Sequence, residues 1–107
     1  MERLNEEYKV RELINKNNIA IVYFSGSTCG ACNLIKEKVE HILKKYPKIQ
    51  SCEINGVEQT KLAAEYGVFS LPILILYIEQ KESLRFGRNV DLIDFDNKLE
   101  RYYKMLY

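Results

Sequence analysis

The sequence predicts an α/β fold in which a central mixed β-sheet is covered by helices on both faces. Two apolar, β-branched runs, at residues 19–24 and 72–78, have the length and composition of buried strands. Segments with helical periodicity alternate with these runs, which is typical of strands joined by covering helices. A Cys-x-x-Cys motif at residues 29–32 lies between the first run and the helix that follows it.

The first predicted helix begins near Asn5, which can cap it, and acidic residues follow in its first turn. Its apolar face is predicted from Tyr8, Leu13 and Ile14, and the asparagines at 17–18 end it. The strand that follows is apolar almost without interruption, which is typical of a strand buried on both faces.

From Cys29 onward, apolar residues recur at three- and four-residue steps, which predicts a second helix ended by Pro47. The apolar positions of this helix are Leu34, Ile35, Val39, Ile42, Leu43 and Tyr46. Residues 49–54 alternate as a short strand, and residues 55–56, Asn-Gly, form a turn.

A short third helix is expected to end at Gly67 in a left-handed conformation. The second core strand begins at Pro72, where a missing amide is tolerated. Residues 79–82 are predicted to connect this strand to an antiparallel partner at 83–86. The last helix has an apolar stripe formed by Leu92, Phe95, Leu99, Tyr102 or Tyr103, and Leu106. The predicted order is α-β-α-β-α-β-β-α, with a vestigial first strand at residues 3–4.

The length of 107 residues indicates one domain, spanning residues 1–107, which we expect to be a monomer. The formal net charge is +1, and lysines and glutamates interleave along the helices, so nucleic acid and membrane surfaces are not indicated as partners. The first residues are polar and lack the apolar stretch of a secretory signal, so we expect a cytoplasmic protein. Three cysteines are too few for a structural disulfide framework.

Cys29 and Cys32 lie at the predicted start of a helix, where two cysteines three residues apart can close a small disulfide ring. The positive end of the helix dipole, roughly half a charge, favours the thiolate of the first cysteine. A thiolate with a second thiol in reach can attack a foreign disulfide and then release itself. The pattern predicts thiol–disulfide exchange that needs no metal and no organic cofactor, because the cysteines hold both reducing equivalents.

A zinc site is the alternative for these cysteines, with Cys29, Cys32, His41 and Cys52 as a Cys₃His set. His41 would then lie on the same helix as Cys32, about 13 Å away at 1.5 Å per residue, which is too far for one ion. We therefore expect His41 to be a partly exposed helix residue. Cys52 is expected to be a buried thiol that packs as a small hydrophobe.

Several landmarks resemble those of the thioredoxin family, and the resemblance covers nearly the whole chain. They are, in order, the strand before the cysteines, Cys29-Gly30-Ala31-Cys32, Tyr66-Gly67-Val68, Leu71-Pro72 at the start of a strand, and Gly87. The resemblance implies the thioredoxin fold and a thiol–disulfide oxidoreductase that acts on protein disulfides. It also implies a partner that restores the dithiol, namely a disulfide reductase such as a thioredoxin reductase.

The resemblance further implies a role for each matching residue. Cys29 would be the attacking thiol, Cys32 the resolving thiol, and Pro72 a cis-proline that faces them. The backbone of Leu71 would pair with an extended substrate through β-type hydrogen bonds. The other residues that would border the substrate are Thr28, Gly30, Ala31 and Gly87.

Three positions depart from the thioredoxin pattern. Thr28 stands where thioredoxins have tryptophan, and Ala31 where they have proline. Tyr23 aligns with the buried aspartate that lies beneath the resolving cysteine in the family. A phenol is a poor base at neutral pH but can donate a hydrogen bond to a thiolate, so we expect Tyr23 to modulate Cys32 in this way. No carboxylate near Cys32 is evident in the sequence.

Two other functions stay open at this point. The altered flanks of the motif are compatible with a thioredoxin-fold binding or chaperone-like module whose cysteines are regulatory or vestigial. A glutaredoxin-type enzyme that uses glutathione fits less well, because the segment at residues 86–89 lacks the Gly-Gly pair of that family.

Overall fold

The computed structural model describes residues 1–107, which form five strands and four helices. In chain order the elements are β1 (Glu2–Arg3), α1 (Glu7–Asn15), β2 (Ile19–Ser25), α2 (Gly30–Leu43), β3 (Gln50–Asn55), α3 (Thr60–Glu65), β4 (Ile73–Ile78), β5 (Lys81–Phe86) and α4 (Leu92–Leu106). None of the four helices is both long and apolar enough to cross a membrane.

The five strands form one mixed sheet in the order β1-β3-β2-β4-β5. The strands β1, β3 and β2 are parallel, whereas β4 is antiparallel to both β2 and β5. The predicted vestigial strand is present one residue earlier, at Glu2–Arg3. The prediction of a mixed sheet is therefore confirmed.

The central strand β2 is buried along its whole length and separates two apolar cores. Successive side chains of a strand point to opposite faces of the sheet. Phe24 and the other even-numbered residues pack in the core beneath α1 and α3. Tyr23 and the odd-numbered residues before it pack in the core beneath α2 and α4. Helices therefore cover both faces of the sheet, as the sequence predicted.

The start and the buried face of α1 differ from the prediction. Glu6, not Asn5, is the N-cap residue, with extended backbone and no side-chain cap hydrogen bond. The buried residues of the helix are Val10 and Ile14, which are one turn apart on one face, whereas Tyr8 is exposed. Tyr8 lies about 200° around the helix from Val10, because an α-helix turns by about 100° per residue.

The helix α2 ends at Leu43, earlier than the predicted Tyr46. The backbone N–H of Tyr46 donates to the carbonyl oxygen of Leu43, so the chain closes a tighter turn at that point. Tyr46 is still buried, because it packs in the core beneath α2 and α4, and its hydroxyl donates to the carboxylate of Asp96 at 2.6 Å. Leu34 was predicted to face the core but is exposed, since its neighbour Ile35 occupies the inward position.

The hairpin between β4 and β5 is tighter than predicted. Its turn consists of Glu79 and Gln80, both with positive φ, and β5 already begins at Lys81. Two-residue turns with positive φ match the right-handed twist of the flanking strands, which explains why non-glycine residues adopt this conformation here. The left-handed conformation predicted for Gly67 is confirmed, with φ of 69°.

The predicted apolar stripe of α4 is confirmed, since Phe95 and Leu99 are fully buried and the remaining members pack against the same core. The ring of Phe95 meets that of Phe86 edge to face, with 5.6 Å between the ring centroids. Aromatic pairs in this arrangement stabilise a core beyond the apolar area that they bury. Phe95 is therefore a principal contact between α4 and the sheet.

We expect Phe95→Ala to lower the free energy of unfolding by about 3–5 kcal/mol, because it removes a buried ring and leaves a cavity. The matched control is Ile93→Ala on the exposed side of the same helix, which should change that free energy by less than about 0.5 kcal/mol. Urea unfolding of the oxidised protein measures both variants. Equal losses would contradict the assignment of the buried face of α4.

Candidate active site

The cysteine motif lies where β2 passes into α2. Cys29 is the N-cap residue of α2 and has an extended backbone. Its Sγ accepts a hydrogen bond from the backbone N–H of Cys32 at 3.1 Å, so a sulfur atom takes the place of a capping oxygen. The N–H of Cys29 donates to the carbonyl oxygen of Gly26, which closes the short loop after the strand.

Cys29 and Cys32 form a disulfide, with 5.2 Å between their Cα atoms. Cys29 is partly exposed at the helix start, whereas Cys32 in the first turn is completely buried. A large disulfide-containing molecule can therefore reach the sulfur of Cys29 but not that of Cys32.

Two features of the helix start favour negative charge on Cys29 once the disulfide is reduced. The unpaired N–H groups of the first turn give the helix N-terminus a partial positive charge. The N–H of Cys32 already points at the sulfur, and a hydrogen bond to the charged form of a group favours that form. The local geometry thus suits Cys29 to act as a thiolate nucleophile.

Tyr23 contacts the motif, but through the backbone. Its hydroxyl donates to the carbonyl oxygen of Cys32 at 2.6 Å, and the side chain is completely buried. Burial, with a further contribution from the negative charge of Glu53, raises the pKa of Tyr23 well above its ordinary value. Tyr23 therefore stays protonated and holds the first turn of α2 onto β2.

A buried carboxylate that the sequence did not indicate lies on this face of the sheet. Glu53 on β3 is the register partner of Tyr23 and is 3% exposed. It accepts hydrogen bonds from Oγ of Ser25 at 2.6 Å and from Nζ of Lys36 at 2.8 Å. Burial acts to raise the pKa of Glu53, but these hydrogen bonds outweigh it and hold the pKa below its ordinary value. The one feature of the sequence that could have indicated this buried carboxylate is that Glu53 lies between the apolar residues Cys52 and Ile54 of a short strand.

The segment at Leu71 and Pro72 lies close to the cysteine loop. The peptide bond between these two residues is cis, and Pro72 is buried. A Cβ added to Gly26 would lie 3.1 Å from Cδ1 of Leu71 and 3.9 Å from Cβ of Cys29, so both side chains border Gly26. A Cβ added to Gly87 would lie 4.0 Å from the carbonyl oxygen of Pro72. The fold thus brings three distant parts of the sequence to one end of the sheet.

The remaining predicted site residues surround the disulfide at the surface. Thr28 and Gly30 are exposed, and Ala31 is half-buried. A side chain at Gly30 would meet nothing within 4 Å, so the space above the helix start is open. This opening leaves room for a bound polypeptide beside Cys29.

Two exposed apolar residues near Leu71 were not predicted from the sequence as part of the site. Val57 is 59% exposed, and its Cγ2 lies 3.1 Å from the position of a Cβ on Gly26. Phe69 is 84% exposed and lines a cavity of about 250 Å³ together with Leu71. We call Val57, Phe69 and Leu71 the apolar rim. A phenylalanine in a loop carries no periodic pattern, so its exposure could not be predicted from the sequence.

The third cysteine and the histidine lie apart from the disulfide. Cys52 is completely buried in the core beneath α1 and α3, as predicted, and burial raises its pKa to about 12. His41 is exposed on α2. No group of three or more His, Cys, Asp or Glu side chains is arranged to hold a metal ion.

Comparison with known proteins places these features in one family. The thioredoxin family profile matches residues 2–100. The chain is 27% identical to the thioredoxin-like protein YdfQ of Bacillus subtilis over 105 residues, which is 98% of this chain and 94% of that protein. It is 34% identical to a thioredoxin of Pyropia yezoensis over 84 residues, covering 78% of this chain and 72% of that protein.

Solved structures share the same fold. A point-mutant thioredoxin from Halobacterium salinarum superposes with a TM-score of 0.84 at 20% identity, covering 95% of this chain and 89% of that one. The likeness to this structure shows the fold, and the family profile covers nearly the whole chain. The chain therefore belongs to the thioredoxin family.

Proposed function

We propose that the protein is a thiol–disulfide oxidoreductase that reduces protein disulfides through Cys29 and Cys32. One observation carries this proposal: a disulfide at a helix start joins a reachable sulfur to a buried one. Two thiols with this difference in access can perform two successive exchange steps in a defined order.

The reaction begins with the reduced protein. The Cys29 thiolate attacks one sulfur of a substrate disulfide, and the other substrate sulfur leaves as a thiolate. Cys32 then loses its proton and attacks Sγ of Cys29, which releases the second substrate thiolate and closes the Cys29–Cys32 disulfide. Two electrons pass to the substrate, and both released thiolates take protons from water or from Cys32.

Substrate docking is proposed to involve the residues around the opening above the helix start. The backbone of Leu71 is suited to pair with an extended polypeptide, because Leu71 shortly precedes β4 and borders the loop of Cys29. The other proposed contacts are Thr28, Gly30, Ala31, Pro72, Gly87 and the apolar rim. A polypeptide placed there would bring its disulfide to Cys29.

A second protein must restore the dithiol after each turnover. We propose a disulfide reductase, such as a thioredoxin reductase, in the cytoplasm, where thiols are kept reduced. The single buried free thiol, Cys52, is compatible with such a compartment. The reductase would donate two electrons to the Cys29–Cys32 disulfide after the reduced substrate has left.

The protein should reduce insulin disulfides in the presence of dithiothreitol, and Cys29→Ser should lower the rate to the uncatalysed background. Cys32→Ser should accumulate a mixed disulfide with its substrate, because the second exchange step is then missing. Cys52→Ala is the matched control and should keep the activity. Failure of the unaltered protein to reduce insulin would favour a binding module with regulatory cysteines instead.

Iodoacetamide should modify Cys29 of the folded, reduced protein first and Cys52 last. Cys29 is reachable and lies at the helix N-terminus, whereas burial raises the pKa of Cys52 to about 12. Mass spectrometry of protein quenched at successive times gives the order of labelling. Labelling of Cys32 before Cys29 would contradict the assignment of the attacking thiol.

Phe69→Ser should lower kcat/KM for peptide disulfides with a large apolar residue beside the cysteine. We expect roughly a fivefold loss, about 1 kcal/mol, which corresponds to partial burial of one aromatic side chain. Reduction of a small aromatic disulfide should be unchanged. Ile93→Ser, a similarly exposed residue on α4, is the control. An equal loss of kcat/KM on both substrates would mean that Phe69 affects the reactivity of the cysteines and not the docking of the peptide.

A further inference from the structure

The carboxylate of Glu53 has no part in the exchange steps above, yet it lies beside Tyr23 and contacts the helix that follows the cysteine motif. It is almost completely buried and accepts two short hydrogen bonds, from Ser25 and Lys36. The guanidinium of Arg3 lies 3.5 Å away on the outer strand. Burying a carboxylate is unfavourable unless cations and donors compensate it, and here they do.

Lys36 ties this carboxylate to the helix that carries the cysteines. It lies four residues after Cys32, so these two residues share one face of α2. Its side chain is 28% exposed and its Nζ is 2.8 Å from Oε1 of Glu53. Lys36 thus begins one helical turn after the buried cysteine, and its ammonium meets the carboxylate on β3.

Glu53 also lies beside the contact between Tyr23 and the motif. Tyr23 and Glu53 are register partners on β2 and β3, and the Tyr23 hydroxyl donates to the carbonyl oxygen of Cys32. The negative charge of Glu53 is close enough to contribute to the raised pKa of Tyr23. The groups that face Glu53 are therefore Arg3, Tyr23, Ser25 and Lys36.

We infer that Lys36 and Glu53 are positioning residues that set the balance between the Cys29–Cys32 dithiol and its disulfide, with opposite effects. The inference rests on the proposed function, since it concerns the same pair of cysteines. The Lys36 ammonium stabilises thiolate charge at the start of α2, whereas the Glu53 carboxylate opposes it. Each residue also compensates the charge of the other, so the net electrostatic effect of the pair on the cysteine thiolates is small.

The direction of each effect follows from Coulomb's law in a medium less polar than water. Loss of the Glu53 charge leaves Lys36 unopposed, which stabilises thiolate and hence the reduced protein. Loss of the Lys36 charge leaves the carboxylate opposed only by the more exposed Arg3, 3.5 Å away, and destabilises the reduced protein. Stabilising the reduced form makes a cysteine pair a stronger oxidant.

The test measures the equilibrium between the protein dithiol plus glutathione disulfide and the protein disulfide plus two glutathione thiols. At pH 8, Glu53→Gln should lower the equilibrium constant for protein oxidation at least threefold, about 14 mV in potential. Lys36→Met should raise it by a similar factor. The double variant Lys36→Met/Glu53→Gln should return close to the unaltered protein.

Exposed charges of the same helix are the matched controls. Glu37→Gln and Lys38→Met change the net charge equally but lie at the surface, and they should leave the equilibrium constant within about twofold, because water screens exposed charges. Circular dichroism and urea unfolding identify any variant that fails to fold. For such a variant, Glu53→Asp or Lys36→Arg keeps the charge and should restore the unaltered equilibrium constant.

If the Lys36–Glu53 pair only stabilised the fold, the two single variants would change the equilibrium constant in the same direction or not at all. Either result would overturn the inference. The glutathione equilibrium can be measured whether or not the protein reduces insulin. Unshifted potentials with normal insulin reduction would therefore reject this inference alone. Absent insulin reduction with opposite shifts would reject the proposed function and leave the electrostatic role in place.

Discussion

The burial of β2 on both faces is the constraint on which the rest of the structure depends. All seven of its residues are buried, and it pairs with β3 on one side and β4 on the other. A shift of one residue in its register would exchange the side chains of the two cores, which are built from different residues. Because the strand position is set in this way, the loop after Ser25 emerges at one defined point, and Cys29 follows within four residues.

The unequal access of the two sulfurs is a consequence of helix geometry at this point. Cys29 caps α2 from outside the helix, whereas Cys32 lies within its first turn and faces the sheet. A spacing of three residues is nearly one turn, which keeps the sulfurs close while one points outward and the other inward. The outer sulfur caps the helix by accepting a hydrogen bond from the backbone N–H of Cys32. Helix initiation and thiol activation therefore share one interaction.

The charges beneath the motif are arranged differently from the thioredoxin pattern described above. Tyr23, which the resemblance matches to the family's aspartate, donates to the backbone, while the carboxylate lies on the neighbouring strand as Glu53. No buried side-chain polar atom lacks a hydrogen-bond partner, so this arrangement satisfies every group that it buries. An acid at position 23 would have to share the site with Glu53, and two buried carboxylates in contact cannot both stay ionised without raising a pKa.

The sequence by itself determined the order of the elements, the double-sided burial of β2 and the position of Cys29 and Cys32 at a helix start. Each of these depends on residues that are neighbours along the chain or recur with a short period. Only the tertiary structure decided that Glu53 pairs with Lys36, that Leu34 is exposed, and that the exposed Phe69 lines a cavity with Leu71. Lys36 and Glu53 are 17 residues apart, and their contact depends on the rotation of α2 and the register of β3 together. A local pattern carries information on burial within one element, but it does not specify which side chains of two packed elements meet.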